Sequence, residues 1–251
     1  MVCATFRFYD GLNDFLARER RGREFDTACA RDATTKHMIE ALGVPHTEVE
    51  LILINGVSTG LDTIIGDGDR IAVYPRFSSL DVTDTARIAT RPPGRLRFVA
   101  DAHLGGLARL LRMAGFDTIY DNEFDDAAVE ARALEEGRIV LTRDRELLNR
   151  RAVEYGAYVR ALKPQDQLRE LFERFDLAER ARPFTLCLHC NAPLRIAAKE
   201  DVLDRLPPLV RAVQHEFSTC DMCRRVYWKG SHWQRMAGML DSAAGARCAE
   251  D

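Results

Sequence analysis

Between Leu96 and Leu148 the chain alternates three short apolar runs with two helical patterns, which confines the region to a strand-helix-strand-helix-strand order. The runs are Leu96 to Ala100, Thr118 to Tyr120 and Arg138 to Leu141. In the first intervening helix Leu104, Leu107, Leu110, Leu111 and Ala114 share a face, and Gly115 supplies the stop. In the second, Asp125 or Asp126 can cap the start and Gly137 the end. Strand-helix-strand crossovers are overwhelmingly right-handed and make a parallel sheet, whose ligands gather at the carboxyl ends of the strands. An aspartate follows each run on that edge: Asp101, Asp121 and Asp144.

Carboxylates converging on one edge repel one another unless a cation neutralises them, and hard oxygen donors suit Mg²⁺ or Mn²⁺. Asp101 and Asp144, each abrupt after an apolar strand, are the candidate metal ligands. Asp121 and Asp125 read as turn and cap residues. Asp126 can face the site from within the helix, and Glu130, four residues on, shares its face and competes with it. Arg143, Arg150 and Arg151 stand beside or just after this edge, where they are candidates to meet phosphates.

Further along, Cys187 and Cys190 form one C-x-x-C pair, Cys220 and Cys223 a second. Each pair offers two thiolates to one ion, and together they are expected to complete a tetrahedral Cys₄ zinc site of ribbon type, with Pro207 and Pro208 in an inserted loop; the alternative, a thioredoxin-like redox pair, would need one C-x-x-C at a βα junction. A closed site of this kind holds structure rather than performing hydrolysis, so the catalytic metal is a different one. His189, inside the first pair, either replaces a cysteine or faces solvent. Cys3, Cys29 and Cys248 have no partner pattern and read as free thiols.

Just beyond the second pair, RRVYWKGSHWQR mixes Arg224, Arg225, Lys229 and Arg235 with Tyr227, Trp228, His232 and Trp233. Basic groups for phosphates and flat rings for unstacked bases are the ingredients of single-strand recognition. Tyr227 and Trp228 are equally candidates for the core of so small a module. The formal charge of −3 argues against a globally basic nucleic-acid binder and leaves room for a local patch.

These motifs carry a resemblance. VADAHLGGLARLLRMAGFD, the pair Asp125-Asp126, IVLTRD ending at Asp144, KPQDQLRELFERF, the two C-x-x-C pairs and YWKGSHWQRM together resemble the Mut-seven C-terminal RNase family, a branch of the PIN-like nucleases. The similarity spans roughly residues 96 to 236. It implies a PIN-like α/β fold, acidic metal-dependent catalysis on RNA, and a zinc ribbon behind it. It carries Asp101, Asp126 and Asp144 over as the acidic residues; the fourth acid common in PIN-like sites has no assigned counterpart.

The first 80 residues read as a small α+β domain. Cys3 to Tyr9 and Glu24 to Cys29 are strands, and Leu12 to Ala17 is a short helical turn. Thr34 and Thr35 open the helix KHMIEALG, VELILING ends in the hairpin signal Asn55-Gly56, and GDGDRIAVYP feeds a last strand. The phrases ALGVP, LILING and GDGDRIAVYP resemble the ubiquitin-like β-grasp of bacterial sulfur-carrier proteins. Those carriers end in Gly-Gly; here the strand runs on into PRFSSLDV, so packing or contact with RNA or a partner is expected instead. The Gly66-x-Gly68 pattern reads as a tight turn.

The expected organisation is a β-grasp domain at 1–80, a linker at 81–95, a PIN-like parallel-sheet domain at 96–182, a zinc ribbon at 183–240 and a tail at 241–251. An odd number of cysteines, seven, with four in paired spacing, fits reduced thiols. The start, MVCATFRFYDG, has no signal pattern and no run reaches a membrane span, so a cytoplasmic protein is expected. The expected partner is RNA, single-stranded or structured and small, and the expected activity is metal-dependent hydrolysis of its phosphodiesters. The competing expectation is a non-catalytic RNA-binding or adaptor protein that keeps the same fold.

Overall fold

The computed structural model of the protein describes residues 1–76, 88 and 94–245. In β1 (Val2–Phe8) buried Ala4, Phe6 and Phe8 alternate with outward residues, the period of a half-buried strand. A 3₁₀ turn at Asp10–Phe15 leads on to β2 (Phe25–Cys29). Thr34 caps α1 (Thr35–Ala41), its hydroxyl accepting from the His37 amide at 3.2 Å. β3 (Val49–Ile54) turns through Asn55 and Gly56, both at positive φ, into β4 (Val57–Thr59). The Gly66–Gly68 turn is closed by Asp69 Oδ2, which accepts from the Gly66 amide at 2.7 Å, and delivers β5 (Arg70–Pro75).

The alternating region follows as β6 (Phe98–Ala100), α2 (Gly105–Met113), β7 (Thr118–Tyr120), α3 (Asp126–Glu136) and β8 (Ile139–Thr142). Gly115 (φ 88°) and Gly137 (φ 60°) end the two helices in the left-handed region, as expected of C-terminal glycines. After them come α4 (Arg145–Leu148), β9 (Gly156–Tyr158) and α5 (Pro164–Phe175). The ribbon strands are β10 (Leu194–Ala197), β11 (Phe217–Cys220) and β12 (Val226–Trp228); α6 (Pro208–Val213) forms in the inserted loop, and α7 is Ser231–Gly245.

Two stretches differ from expectation. The pattern ELLNRRAVEYG predicts a helix running on after Asp144, but α4 stops at Leu148: a turn at 150–153 buries Val153 and sends the Arg150 guanidinium to Asp126 and Glu130. α7 continues to Gly245, into the stretch expected as a tail, because Met236, Leu240 and Ala243 recur at helical spacing and are buried. Most of the expected linker, together with Cys248, lies outside the described residues; of it, Ile88 donates its amide to the Glu50 carbonyl at 2.8 Å and packs on the N-terminal core.

The chain forms two compact units that do not follow chain order: Met1–Arg95 with Asp126–Tyr158, and Leu96–Asp125 with Val159–Asp251. In the first, the strand order β2-β1-β5-β3-β4, with β1 parallel to β5 and the other pairs antiparallel, is a β-grasp-like sheet. Phe6, Phe8, Phe15, Ile39 and Ile52 lie in its core. The segment from α3 to β9 packs with it: His46 Nε2 lies 3.1 Å from the Val153 carbonyl, Glu48 accepts from the Tyr158 amide at 2.8 Å, and β8 pairs parallel with β9.

In the second unit β6 pairs parallel with β7. Leu104, Leu107 and Leu111 near and on α2 and Leu168, Leu171, Phe172 and Phe175 on α5 are buried, and Phe98 meets Phe175 edge-on at 5.9 Å. β10, β11 and β12 form an antiparallel ribbon over Ala197, Val202, Leu206 and Phe217. The fold is mixed α/β: a β-grasp-like sheet, parallel-strand α/β elements, and a C-terminal ribbon with a cysteine cluster. No helix among the described residues is long and apolar enough to cross a membrane.

Candidate functional site

The acids lie where strand ends and helix starts put them. In the first unit Asp144 follows β8 by two residues and caps α4: its amide donates to Thr142 Oγ1 at 2.9 Å and its Oδ1 accepts from the Glu146 amide at 2.8 Å. Asp126 opens α3, and Glu130, one turn on, joins it at a single cation: Arg150 Nη2 lies 3.0 Å from Asp126 and Nη1 3.0 Å from Glu130. The hydrogen bond that Arg150 donates to Glu130, foremost, and the nearby Asp126 raise the pKa of Arg150. The helical spacing that made Asp126 and Glu130 rivals is what lets one arginine serve both.

In the second unit Asp101 follows β6 directly and stands at the head of the 3₁₀ turn Ala102–Leu104. Gly105, which opens α2, faces the Tyr120 ring so closely that a Cβ there would come within 2.6 Å of it; the Tyr120 hydroxyl donates to the Ala102 carbonyl at 3.1 Å. The segment after Asp101 is thereby seated against β7. Asp121 is a turn residue, its carboxylate accepting from the Glu123 amide at 3.0 Å. Asp125 occupies the position before α3.

The four cysteines of the ribbon form a cluster. Their sulfurs all lie within 4.8 Å of one another, with Cys187 to Cys223 at 3.5 Å and Cys190 to Cys220 at 3.4 Å. A tetrahedral ion with bonds of about 2.3 Å needs sulfurs about 3.8 Å apart, so the donor set and its size fit zinc. The two knuckles are built alike: the Asn191 amide donates to the Cys187 carbonyl at 3.0 Å, the Arg224 amide to that of Cys220 at 2.8 Å, and both Asn191 and Arg224 have positive φ. Burial raises the Cys187 thiol, but the Tyr227 hydroxyl at 3.1 Å and amides of the knuckle outweigh it and bring it to about 6. His189 is exposed and contributes its carbonyl, not its ring, to the surroundings.

Sequence reasoning missed the group that ties the first knuckle to β7. Arg112, 5% exposed, donates from Nε to the Thr118 carbonyl at 2.8 Å and from Nη1 to the carbonyls of His189 (2.6 Å) and Leu188 (3.3 Å). Asn191 completes the tie, accepting from the Thr118 amide at 3.0 Å and donating to Asp117 at 2.6 Å. An arginine on the apolar face of a helical pattern was the only available signal.

Of the basic and aromatic residues after the second knuckle, Arg224, Arg225, Tyr227, Trp228, Lys229 and Trp233 line one groove of the second unit, joined there by Arg109 of α2. Arg109, Arg224 and Arg225 are exposed. Trp228 packs partly on the ribbon core, and Trp233 lies 4.8 Å from Phe184, with the Lys229 ammonium 5.9 Å above it. Lys229 also pairs with Glu216 at 2.7 Å and holds that carboxyl below its ordinary range. The side chain of His232 lies outside the described residues. Arg151, like Asp144, is exposed.

Residues 96–240, more than half of the chain, match the family model described as Mut7-C RNAse domain. The chain belongs to the Mut7-C RNase family. Residues 1–81 match a second model, Mut7-C ubiquitin, so the β-grasp-like sheet is the ubiquitin-like part of a Mut7-C protein. Two crystal structures of small archaeal modifier protein 1 from Haloferax volcanii are similar to 31% of the chain. One is 19% identical with a TM-score of 0.26 and is covered over its whole length; the other is 20% identical, with a TM-score of 0.25 and 98% coverage. No curated protein matches the chain. The Mut7-C RNase match points to a nuclease-type function.

Proposed function

We propose that this Mut7-C protein is a metal-dependent ribonuclease in which Asp101, Asp126 and Asp144 hold one or two Mg²⁺ or Mn²⁺ ions. The carrying observation is the Mut7-C RNAse match, which includes two aspartates at the carboxyl ends of parallel strands, Asp101 after β6 and Asp144 after β8. Their carboxylates are hard donors of the kind these ions take. When bound, such ions make water nucleophilic at neutral pH and stabilise charge developing on a phosphate.

The chain's own residues prepare the site. Asp144 is oriented by the Glu146 amide, and Arg150 orients Asp126 and Glu130. Arg143, Arg150 and Arg151 are the candidate phosphate contacts beside the acids, and Arg150 also pairs with Asp126 and Glu130. In the ribbon groove Arg224, Arg225 and Lys229, with Trp228, His232 and Trp233, are the candidate contacts for single-stranded or small structured RNA. The cysteine cluster holds a structural zinc, and the reduced thiols suit the cytoplasm.

The test is cleavage of a pool of end-labelled RNAs with Mn²⁺ or Mg²⁺ against a chelator, beside Asp101→Asn and Asp144→Asn. Asparagine caps a helix as well as aspartate does, so Asp144→Asn removes charge and leaves α4 in place. Cleavage is expected to fall about 100-fold or more in each variant. Parent-like, metal-dependent cutting by Asp144→Asn removes that residue from the mechanism. One observation favours a second reading, a non-catalytic RNA-binding adaptor: Asp126 and Glu130 already have a guanidinium as partner. That reading predicts RNA binding, lost on changing the groove residues, with no turnover under any divalent ion.

A further inference from the structure

Arg145 follows Asp144 directly, and the β-grasp part of the same compact unit holds its side chain. Its Nη1 donates to the Phe15 carbonyl at 3.0 Å and its Nη2 lies 3.4 Å from the Asp14 carbonyl. The guanidinium is 5.0 Å from the centre of the Phe15 ring and 5.9 Å from that of Tyr158, and these two rings meet edge-on at 5.2 Å. Asp14 and Phe15 close the 3₁₀ turn Asp10–Phe15, whose last carbonyls lack donors within the turn. Arg21 covers the same end, donating to Leu16 at 2.9 Å and Asp14 at 3.2 Å. Cations at the carbonyl end of a helical turn are favourable electrostatically.

Phe15 is 4% exposed within the core of the β-grasp sheet. The four-residue α4 is far shorter than a helix that holds itself in water. The Asp144 turn therefore takes its shape from its ends: burial of Leu147 and Leu148 on one side, Thr142 behind it, and the Arg145 clamp on the β-grasp domain.

We propose that the ubiquitin-like domain is a built-in positioning element for the nuclease site, with Arg145 as the positioning residue that fixes the Asp144 carboxylate for its divalent ion. The inference rests on the nuclease reading for its consequence, and on the clamp geometry for its cause.

The experiment compares the full chain with Arg145→Ala and Arg145→Lys, thermal melting first showing that both fold. Three quantities are read: hydrogen exchange at the Glu146 amide, Mn²⁺ affinity by calorimetry, and kcat and KM for labelled RNA. Arg145→Ala is expected to exchange faster, bind Mn²⁺ more weakly and lose about 10-fold or more in kcat at unchanged KM, the scale of effect of a misplaced catalytic group. Arg145→Lys, able to reach one carbonyl, is expected to recover part of each. Unchanged exchange and kcat in Arg145→Ala overturn the clamp, and a rise in KM alone makes Arg145 an RNA contact instead. Faster exchange with unaltered Mn²⁺ binding overturns the link to Asp144. A parent chain that cuts no RNA overturns the nuclease reading by itself, while exchange and Mn²⁺ affinity still decide the clamp.

Discussion

Arg112 shows how much of the molecule hangs on single side chains that carry no motif. Burial pushes its pKa down, and the negative charges of Cys187 and Cys190 as thiolates and of Asp117 pull it back. Arg112→Ala leaves the carbonyls of Thr118, Leu188 and His189 without that donor; we expect a loss of about 2–4 kcal/mol in urea unfolding. Faster loss to a chelator of zinc loaded onto the cysteine cluster should accompany it, and equal release rates in variant and parent would exclude Arg112 from holding the knuckle. A second residue-scale effect is alkaline. Tyr74 stacks on Tyr9 with ring centres 4.2 Å apart, and burial, with the Tyr9 hydrogen bond, pushes it up to about 12. A phenol whose pKa is raised by folding stabilises the fold below its unfolded value, about 10, and that contribution disappears as pH rises through the folded value. Phenolate absorbance should show a late step that Tyr74 shares with Tyr155 and Tyr227, and Tyr74→Phe should lower its amplitude by one phenol. A Tyr74 that ionises with the ordinary tyrosines would show that the pair is open to water.

At the scale of elements, the two ribbon knuckles repeat one design with unlike residues at the position after the second cysteine. Asparagine tolerates the left-handed conformation of Asn191; Arg224 holds it at φ 59° against the usual penalty for a longer side chain. Arg224→Gly should therefore stabilise the metal-bound ribbon by up to about 1 kcal/mol in thermal melts, and weaken RNA binding if the groove contacts phosphates. Stabilisation without weaker binding would take Arg224 out of the interface. The C-x-x-C spacing made the knuckles legible, since ligand type and separation are local facts. The conformation at Arg224 was not legible, because nothing in an arginine asks for it. The same division runs through the alternating region: β7 and α2 stand where apolar periodicity put them, while the helix after Asp144 is shorter than its pattern because its end is set by the burial of Val153 and the pull of two carboxylates on Arg150.

For the molecule as a whole, the compact units cut across the order of the chain, and that yields a test. In native-state hydrogen exchange, β8 and β9 should open together with β3 and β5, since His46 and Glu48 hold Val153 and Tyr158 within one core. Exchange of β8 and β9 in step with β6 and β7 instead would dissolve that unit. The sequence by itself determined the order of strands and helix in the first 80 residues, the alternating strands and helices, the cysteine tetrad and the aspartates after β6 and β8, because each rests on periodicity, turn chemistry or spacing within a few residues. Only the tertiary structure decided that Arg150 bridges Asp126 and Glu130, that Arg112 binds the first knuckle, and that a carbonyl of the β-grasp domain grips Arg145. Such contacts join residues 20 to 130 positions apart, and a long flexible cation can satisfy any acceptor that packing brings within its reach.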